Sequence, residues 1–238
     1  MSDEETIRAF DADVDAHEGY VYTTNDRLSS SLARQRWVDT VLGMTEMKGR
    51  RLLDLGCGDG YFTRHYYDTQ GPASVVGIDP SSNAIKSAVA KRGEREIEFN
   101  VGDGHSIPFD DKSFDLVLIQ AVLHHDDDPA HVVLEACRLA HEVVILEPNG
   151  YNPALKVIER VSPYHRQHKE KSYPPRAIDR WVADAGGRVV ARKYSNLVPV
   201  FAPDLVARAF KAVERPVEAT PLLRTFCCAI YTVKALVD

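Results

Sequence analysis

Several things are scarce in this chain, and each scarcity excludes a class of protein. Its four cysteines, Cys57, Cys137, Cys227 and Cys228, lack the paired spacing of a zinc site and are too few and scattered for a disulfide framework, so reduced, packed thiols are expected. Positive charge is in deficit: 29 Lys and Arg against 35 Asp and Glu leave a formal net charge of −6. That balance argues against broad phosphate-backbone binding, and no nucleic-acid partner is expected. The one basic stretch, 166–171, is interrupted by Glu170 and reads as a solvated loop. No apolar run approaches the roughly 20 residues of a membrane-spanning helix, so no stable membrane insertion is expected. The first ten residues, MSDEETIRAF, are acidic and have neither the positive n-region nor the apolar core of a secretory signal, which makes the cytoplasm the expected location. There is no internal repeat and no low-complexity segment.

What is present is an ordinary globular composition, 44% hydrophobic and 27% charged over 238 residues, enough for one large core. Short apolar runs at 51–55, 74–79, 97–101, 114–120, 143–147, 188–194 and 226–233 read as strands, mostly continuous in the way of strands covered on both faces. Helical periodicity separates them at 28–47, 61–68, 82–92, 129–140 and 175–185, with Ser81 as an N-cap and Gly186 and Gly187 as a C-terminal stop. The alternation predicts a βαβ architecture. Residues 1–47 are expected to form a helical lid or cap, its first 18 loose or a cover, and 48–238 the main domain. Two stretches, 148–174 and 197–221, break the alternation and are expected to shape the substrate side.

The segment from Leu52 to Tyr61 runs an apolar strand into Gly56, Gly58 and Gly60 and then into a helix. Glycines there allow a sharp turn and close backbone approach to a ligand, and the helix start offers free N–H groups. Asp54 lies inside the first strand, Asp79 ends the second, and Asp103 follows the third. An acid after the second strand is placed to accept hydrogen bonds from ribose hydroxyls, which by itself fits a nicotinamide dinucleotide as well.

Four motifs in order carry a resemblance over residues 48–148: Asp54-Leu-Gly-Cys-Gly-Asp-Gly60, Val75-Val-Gly-Ile-Asp-Pro-Ser81, Gly102-Asp-Gly-His-Ser-Ile-Pro-Phe109, and Phe114-Asp-Leu-Val-Leu-Ile-Gln-Ala-Val-Leu-His-His125. The chain resembles the class I S-adenosylmethionine-dependent methyltransferases, in their small-molecule, type 11-like branch. The resemblance implies a Rossmann-like three-layer α/β sandwich whose mixed seven-stranded sheet is parallel except for one strand near the C-terminus. It implies S-adenosyl-L-methionine as cofactor, with S-adenosyl-L-homocysteine as product and a small molecule as acceptor. Asp54 would hold the amino group, with Gly56, Cys57 and Gly58 beneath the methionine part and the backbone near Gln120 anchoring its amino-acid end. Asp79 would take the ribose hydroxyls and Asp103 the adenine amino group, with Ile78, Pro80, Gly104 and His105 flanking the ring. Tyr20 and Tyr22 fall where the family often places a lid, and with His165 they are candidate substrate contacts; His168 can reach the same pocket.

The run from His124 to Asp128 invites a metal reading, but adjacent loop residues seldom converge on one ion, and three acids before Pro129 suit a helix N-terminus, so no metal is expected. His124 is instead the candidate general base for a hydroxyl acceptor, with His125 second. The apolar stripe of Phe201, Leu205, Val206, Ala209, Phe210 and Val213 has helical spacing. Core or lid packing is favoured for it over contact with an apolar substrate or a membrane surface, because the polar face adds only Arg208 and Lys211. Two other functions stay open: a nicotinamide-dependent oxidoreductase, and a non-catalytic S-adenosylmethionine-binding subunit. The acceptor atom and the oligomeric state are open as well.

Overall fold

A computed structural model describes residues 4–238; residues 1–3 of the expected lid lie outside them. The chain opens with three helices, α1 (Glu4–His17), α2 (Val21–Thr24) and α3 (Leu28–Leu42). Alternation follows: β1 (Arg51–Leu55), α4 (Tyr61–Gln70), β2 (Ser74–Asp79), α5 (Ser82–Arg92), β3 (Ile97–Val101) and β4 (Leu116–Gln120), then α6 (Pro129–Leu139) and β5 (Glu142–Pro148). The C-terminal part runs α7 (Pro153–Val161), α8 (Pro163–Gln167), α9 (Pro175–Asp184), β6 (Gly187–Ser195), α10 (Asp204–Ala219), α11 (Pro221–Cys227) and β7 (Ile230–Val237).

The seven strands form one sheet in the order β3-β2-β1-β4-β5-β7-β6. Pairing is parallel from β3 through β5, and β7 runs antiparallel to both β5 and β6. The expected sheet and its single reversed strand are therefore present. Strand residues bury alternate side chains in two cores. Leu53, Val117 and Ile119 face Val132, Val133 and Val182 of α6 and α9, whereas Leu52, Leu116 and Leu118 face Trp37, Val41 and Tyr66 of α3 and α4. Burial on both faces is why these strands read as continuous apolar runs.

Caps sit where side chains can serve them. Ser81 Oγ accepts the Ala84 N–H at 3.0 Å, and Asp128, with Pro129 in the first turn, caps α6 through the His131 N–H at 3.3 Å. The last strand starts at Ile230 and not at 226, because Pro221 begins a helix that carries Phe226. The expected run at 114–120 enters its ladder at Leu116, and Phe114 makes only an isolated bridge to Ala140. The stretches 148–174 and 197–221 are helical over most of their length. In this order β1 lies between β2 and β4, so the chain's crossovers diverge beside it and leave a crevice at the carboxyl ends of the strands.

Candidate functional site

A cavity of about 650 Å³ opens at that crevice, within the usual range for small-molecule sites. On one side it is lined by the glycine turn and the ends of β1 and β2, on the other by α7, α10 and α11.

The turn is pinned to β2: the N–H groups of Gly56 and Cys57 donate to the Ile78 carbonyl at 2.7 and 3.0 Å. Gly56 and Gly58 have φ of +79° and +55°, and a Cβ on Gly58 would lie 2.5 Å from the Tyr20 ring. Only glycine meets both constraints. The Gly58 N–H also donates to Asp79 Oδ2 at 2.9 Å, and Asp79 Oδ1 accepts from Ser81 N–H at 2.9 Å and from the Tyr20 hydroxyl at 3.4 Å.

Of the residues singled out from sequence, Gly56, Cys57, Gly58, Asp79, Pro80, Asp103, Gly104, Gln120, Tyr20, Tyr22, His124, His125 and His165 all line this cavity. Asp54 does not: it is buried behind the turn, where Thr63 Oγ1 donates to its Oδ2 at 2.5 Å. Burial pushes the carboxyls of Asp54 and Asp79 up to about 6, although hydrogen bonds to each pull the other way. Tyr20 sits at the turn, over Gly58 and against Asp79, whereas Tyr22 packs against Tyr164 and Phe201. Asp103 accepts from the His105 N–H at 2.9 Å and touches its ring. His168 packs behind the wall, stacked on Tyr164 with ring centroids 4.1 Å apart.

Two residues were not singled out beforehand. Asp59, buried in the same turn, lines the cavity and accepts from Thr23 Oγ1 at 2.8 Å; its place between Gly58 and Gly60 was the available signal. Glu147, at the end of β5, is 1% exposed. Its Oε2 lies 2.7 Å from His124 Nδ1, and its Oε1 accepts the N–H groups of Val122 and Leu123 at 2.7 and 2.8 Å. Burial would lower the His124 pKa, but the Glu147 charge and hydrogen bond, with the charges of Glu170 and Glu159, together outweigh it and hold the ring above its ordinary value. His125, buried with no such acid and facing the charge of His124, is pushed well below; its Nδ1 lies 3.1 Å from the His168 carbonyl.

The fit to a nucleoside carrying an amino acid can be tested on this geometry. The glycine turn is a cradle that side chains would fill. Asp54, Asp59 and Asp79 are buried near it, a negative cluster suited to a cationic ligand. Gln120 spends its Oε1 on the Tyr66 hydroxyl at 2.8 Å and leaves a buried Nε2 without a partner, a donor available to a carboxylate. These residues fit S-adenosylmethionine.

Comparison with known proteins agrees. Residues 53–150 match the methyltransferase domain family. The chain is 32% identical over 132 residues to a demethylmenaquinone methyltransferase of Lactococcus lactis, covering 54% of this chain and 50% of that one. It is 31% identical over 139 residues to the 27-O-demethylrifamycin SV methyltransferase of Amycolatopsis mediterranei, covering 56% and 48%. The chain thus spans about half the length of the curated relatives it matches. Among solved structures, a putative methyltransferase of Haloferax volcanii, in complex with the Trm112 methyltransferase activator, superposes with a TM-score of 0.67 at 20% identity, covering 96% and 97% of the two chains.

Proposed function

We propose that this chain, whose residues 53–150 match the methyltransferase domain family, is a class I S-adenosylmethionine-dependent methyltransferase that moves a methyl group from that cofactor to a small, largely apolar acceptor. The observation that carries the reading is one cavity that joins the Gly56–Gly58 turn and Asp79 to the buried His124–Glu147 pair.

When bound, S-adenosylmethionine supplies a methyl already activated on a sulfonium, which leaves by in-line displacement with the electron pair returning to sulfur. The chain's part is to position. Asp79 accepts the two ribose hydroxyls, the turn passes beneath the methionine part, and Gln120 Nε2 meets the carboxylate. Asp54, behind the turn, adds negative potential on the amino-group side without lining the cavity. Asp103 faces the adenine amino group, with Pro80 and Gly104 beside the ring. Such alignment supplies most of the rate.

For an acceptor with an O–H, His124 takes the proton. Glu147 engages Nδ1, so the neutral ring carries its hydrogen there and keeps the Nε2 lone pair as base, and Glu147 then stabilises the imidazolium. Tyr20, Tyr22 and His165 close the cavity over cofactor and acceptor. The relatives act, by their names, on demethylmenaquinone and on 27-O-demethylrifamycin SV, and an acceptor of that kind suits apolar walls such as Ile158, Phe201, Phe210 and Phe226.

Calorimetric titration with S-adenosylmethionine and S-adenosylhomocysteine, beside Asp79→Ala, tests the reading. Saturable binding that the variant loses is expected; well-folded protein that binds neither ligand overturns it. A screen of apolar hydroxyl compounds with labelled cofactor then identifies the acceptor.

A further inference from the structure

The apolar stripe on α10 is not in the core. Glu214, 2% exposed, is the residue that α10 buries beside Ala207. Arg36 of α3 approaches Glu214 at 3.8 Å and pairs with Glu218, and the Leu197 N–H donates to Glu214 at 3.2 Å. Leu205 meanwhile is 80% exposed, with Val213 also outside. The helix is inside-out: charge anchors it and the apolar face looks away.

Its neighbours repeat the pattern. Helix α7 buries no residue fully; Lys156 and Glu159 turn toward Ser172, while Val157 and Val161 are exposed. Helix α11 exposes Leu222, at 70%, and Leu223. Helix α11 packs on both α10 and α7. Ten of the fourteen large apolar side chains exposed among the described residues belong to these three helices. Three of the ten, Ile158, Phe210 and Phe226, also line the cavity, so the exposed face continues into its mouth. An apolar surface this concentrated marks an interface.

The charges around it say with what. Arg160, Arg208, Arg215 and Arg224 on the same helices are exposed, and none is paired with a carboxylate among the described residues. Asp204 is the one exposed acid of the three helices. This is a positive rim on a chain of net charge −6. A two-fold self-association through this face would set the arginines of one copy against those of the other. An anionic lipid surface complements both the rim and the apolar centre. No helix among the described residues is long and apolar enough to cross a membrane, so the contact is peripheral.

We propose that the α7–α10–α11 face docks on anionic lipid bilayers and sets the cavity mouth against the membrane. The corollary, that the acceptor is a molecule dissolved in the bilayer, rests on the methyl-transfer reading; the docking itself does not, and is measured without cofactor.

The test is co-sedimentation of the full chain with vesicles of phosphatidylglycerol and phosphatidylcholine in equal parts, and with phosphatidylcholine alone. Binding to the anionic vesicles is expected, falling as salt rises from about 0.1 M to about 0.5 M. Leu205→Asp with Leu222→Asp lowers it about tenfold or more. Arg208→Glu with Arg224→Glu lowers it about fivefold or more per arginine. Neither pair lines the cavity, so both variants keep the melting temperature and the calorimetric response to S-adenosylhomocysteine of the parent. No binding to anionic vesicles overturns the proposal, as does binding that neither pair weakens. A dimer in sedimentation velocity that the leucine pair dissolves, without vesicle binding, also overturns it and assigns the face to a second copy. A parent protein that binds vesicles but not S-adenosylhomocysteine upholds the docking and removes the methyl-transfer reading instead.

Discussion

The carboxylate of Glu147 holds His124 in two ways at once: Oε2 sits 2.7 Å from Nδ1 of the ring, and Oε1 accepts the N–H groups of Val122 and Leu123 in the turn that carries it. One buried acid thereby sets the ring's tautomer, its orientation and the loop beneath it. The pair is 23 residues apart in sequence and joins the ends of β4 and β5, which the sheet makes neighbours.

If His124 is the base, activity requires it neutral, and its raised pKa places the acid limb of the kcat profile above that of a free imidazole, about 6.5. His124→Ala is expected to lower kcat about 10²–10⁴-fold with cofactor affinity retained. In Glu147→Gln the largest raising charge is gone, leaving only the weaker pull of Glu170 and Glu159 against burial, so the limb moves to lower pH while the plateau falls. A pH–rate series on both variants checks this, and a limb that stays in place in Glu147→Gln removes the pair from the chemistry.

Asp54 and Asp79, both pushed up to about 6 by burial, make the free protein's stability pH-dependent. A carboxyl whose folded pKa is raised binds its proton more tightly in the folded state. Its contribution is complete below the unfolded pKa, about 4, and is lost as pH rises through 6. The melting temperature of the free protein should therefore fall between about pH 4 and pH 7 at these two sites. Asp54→Asn keeps an acceptor for Thr63, removes the buried charge and should stabilise the free protein at pH 7 by about 1–3 kcal/mol. The same change should weaken S-adenosylmethionine binding. Thermal melts across pH check the first part, and a variant that melts earlier than the parent at pH 7 contradicts it.

Helix α1 is latched across the cavity by Asp13, which accepts from the Tyr164 hydroxyl at 3.1 Å and lies 3.2 Å from His168 Nε2. Burial lowers the His168 pKa but Asp13 raises it further, to a net increase. The latch is thus complete below about pH 6.5 and lost as pH rises through the folded value. Hydrogen exchange of α1, corrected for intrinsic rate, should quicken from pH 6 to pH 8. In Asp13→Asn it should be fast at both.

Arg36 is what seats α10, through Glu214 and Glu218. Arg36→Ala removes the charged hydrogen bonds to Glu218 while Glu214 keeps Lys211 as its cation, and should loosen the helix by about 1.5–3 kcal/mol. Limited proteolysis should then cut within 204–219 faster than in the parent. Unchanged cleavage would mean that apolar contacts, and not charge, hold the helix.

Much of this protein was determined locally, and there the sequence is legible by itself. The glycine turn is written in residues that alone tolerate its backbone, and Asp54, Asp79 and Asp103 lie at or just past strand runs whose uninterrupted apolar character follows from burial on both faces of a parallel sheet. Caps such as Ser81 and Asp128 act within a few residues of themselves. Tertiary structure decided what depends on distant partners. Glu147 meets His124, and Tyr20 reaches Asp79 across 59 residues, only because sheet order and lid packing bring them together. Phe226 belongs to a helix because Pro221 starts one and because pairing with β5 and β6 sets the bounds of β7. Above all, a stripe of apolar residues at helical spacing looks the same whether it faces a core or a solvent-exposed surface. On α10 the choice fell to partners distant in sequence: Arg36 pairs with Glu218, and the N–H groups of Leu197 and Asn196 donate to Glu214 and Glu218, so the carboxylate face is held inward and the leucines are left outside.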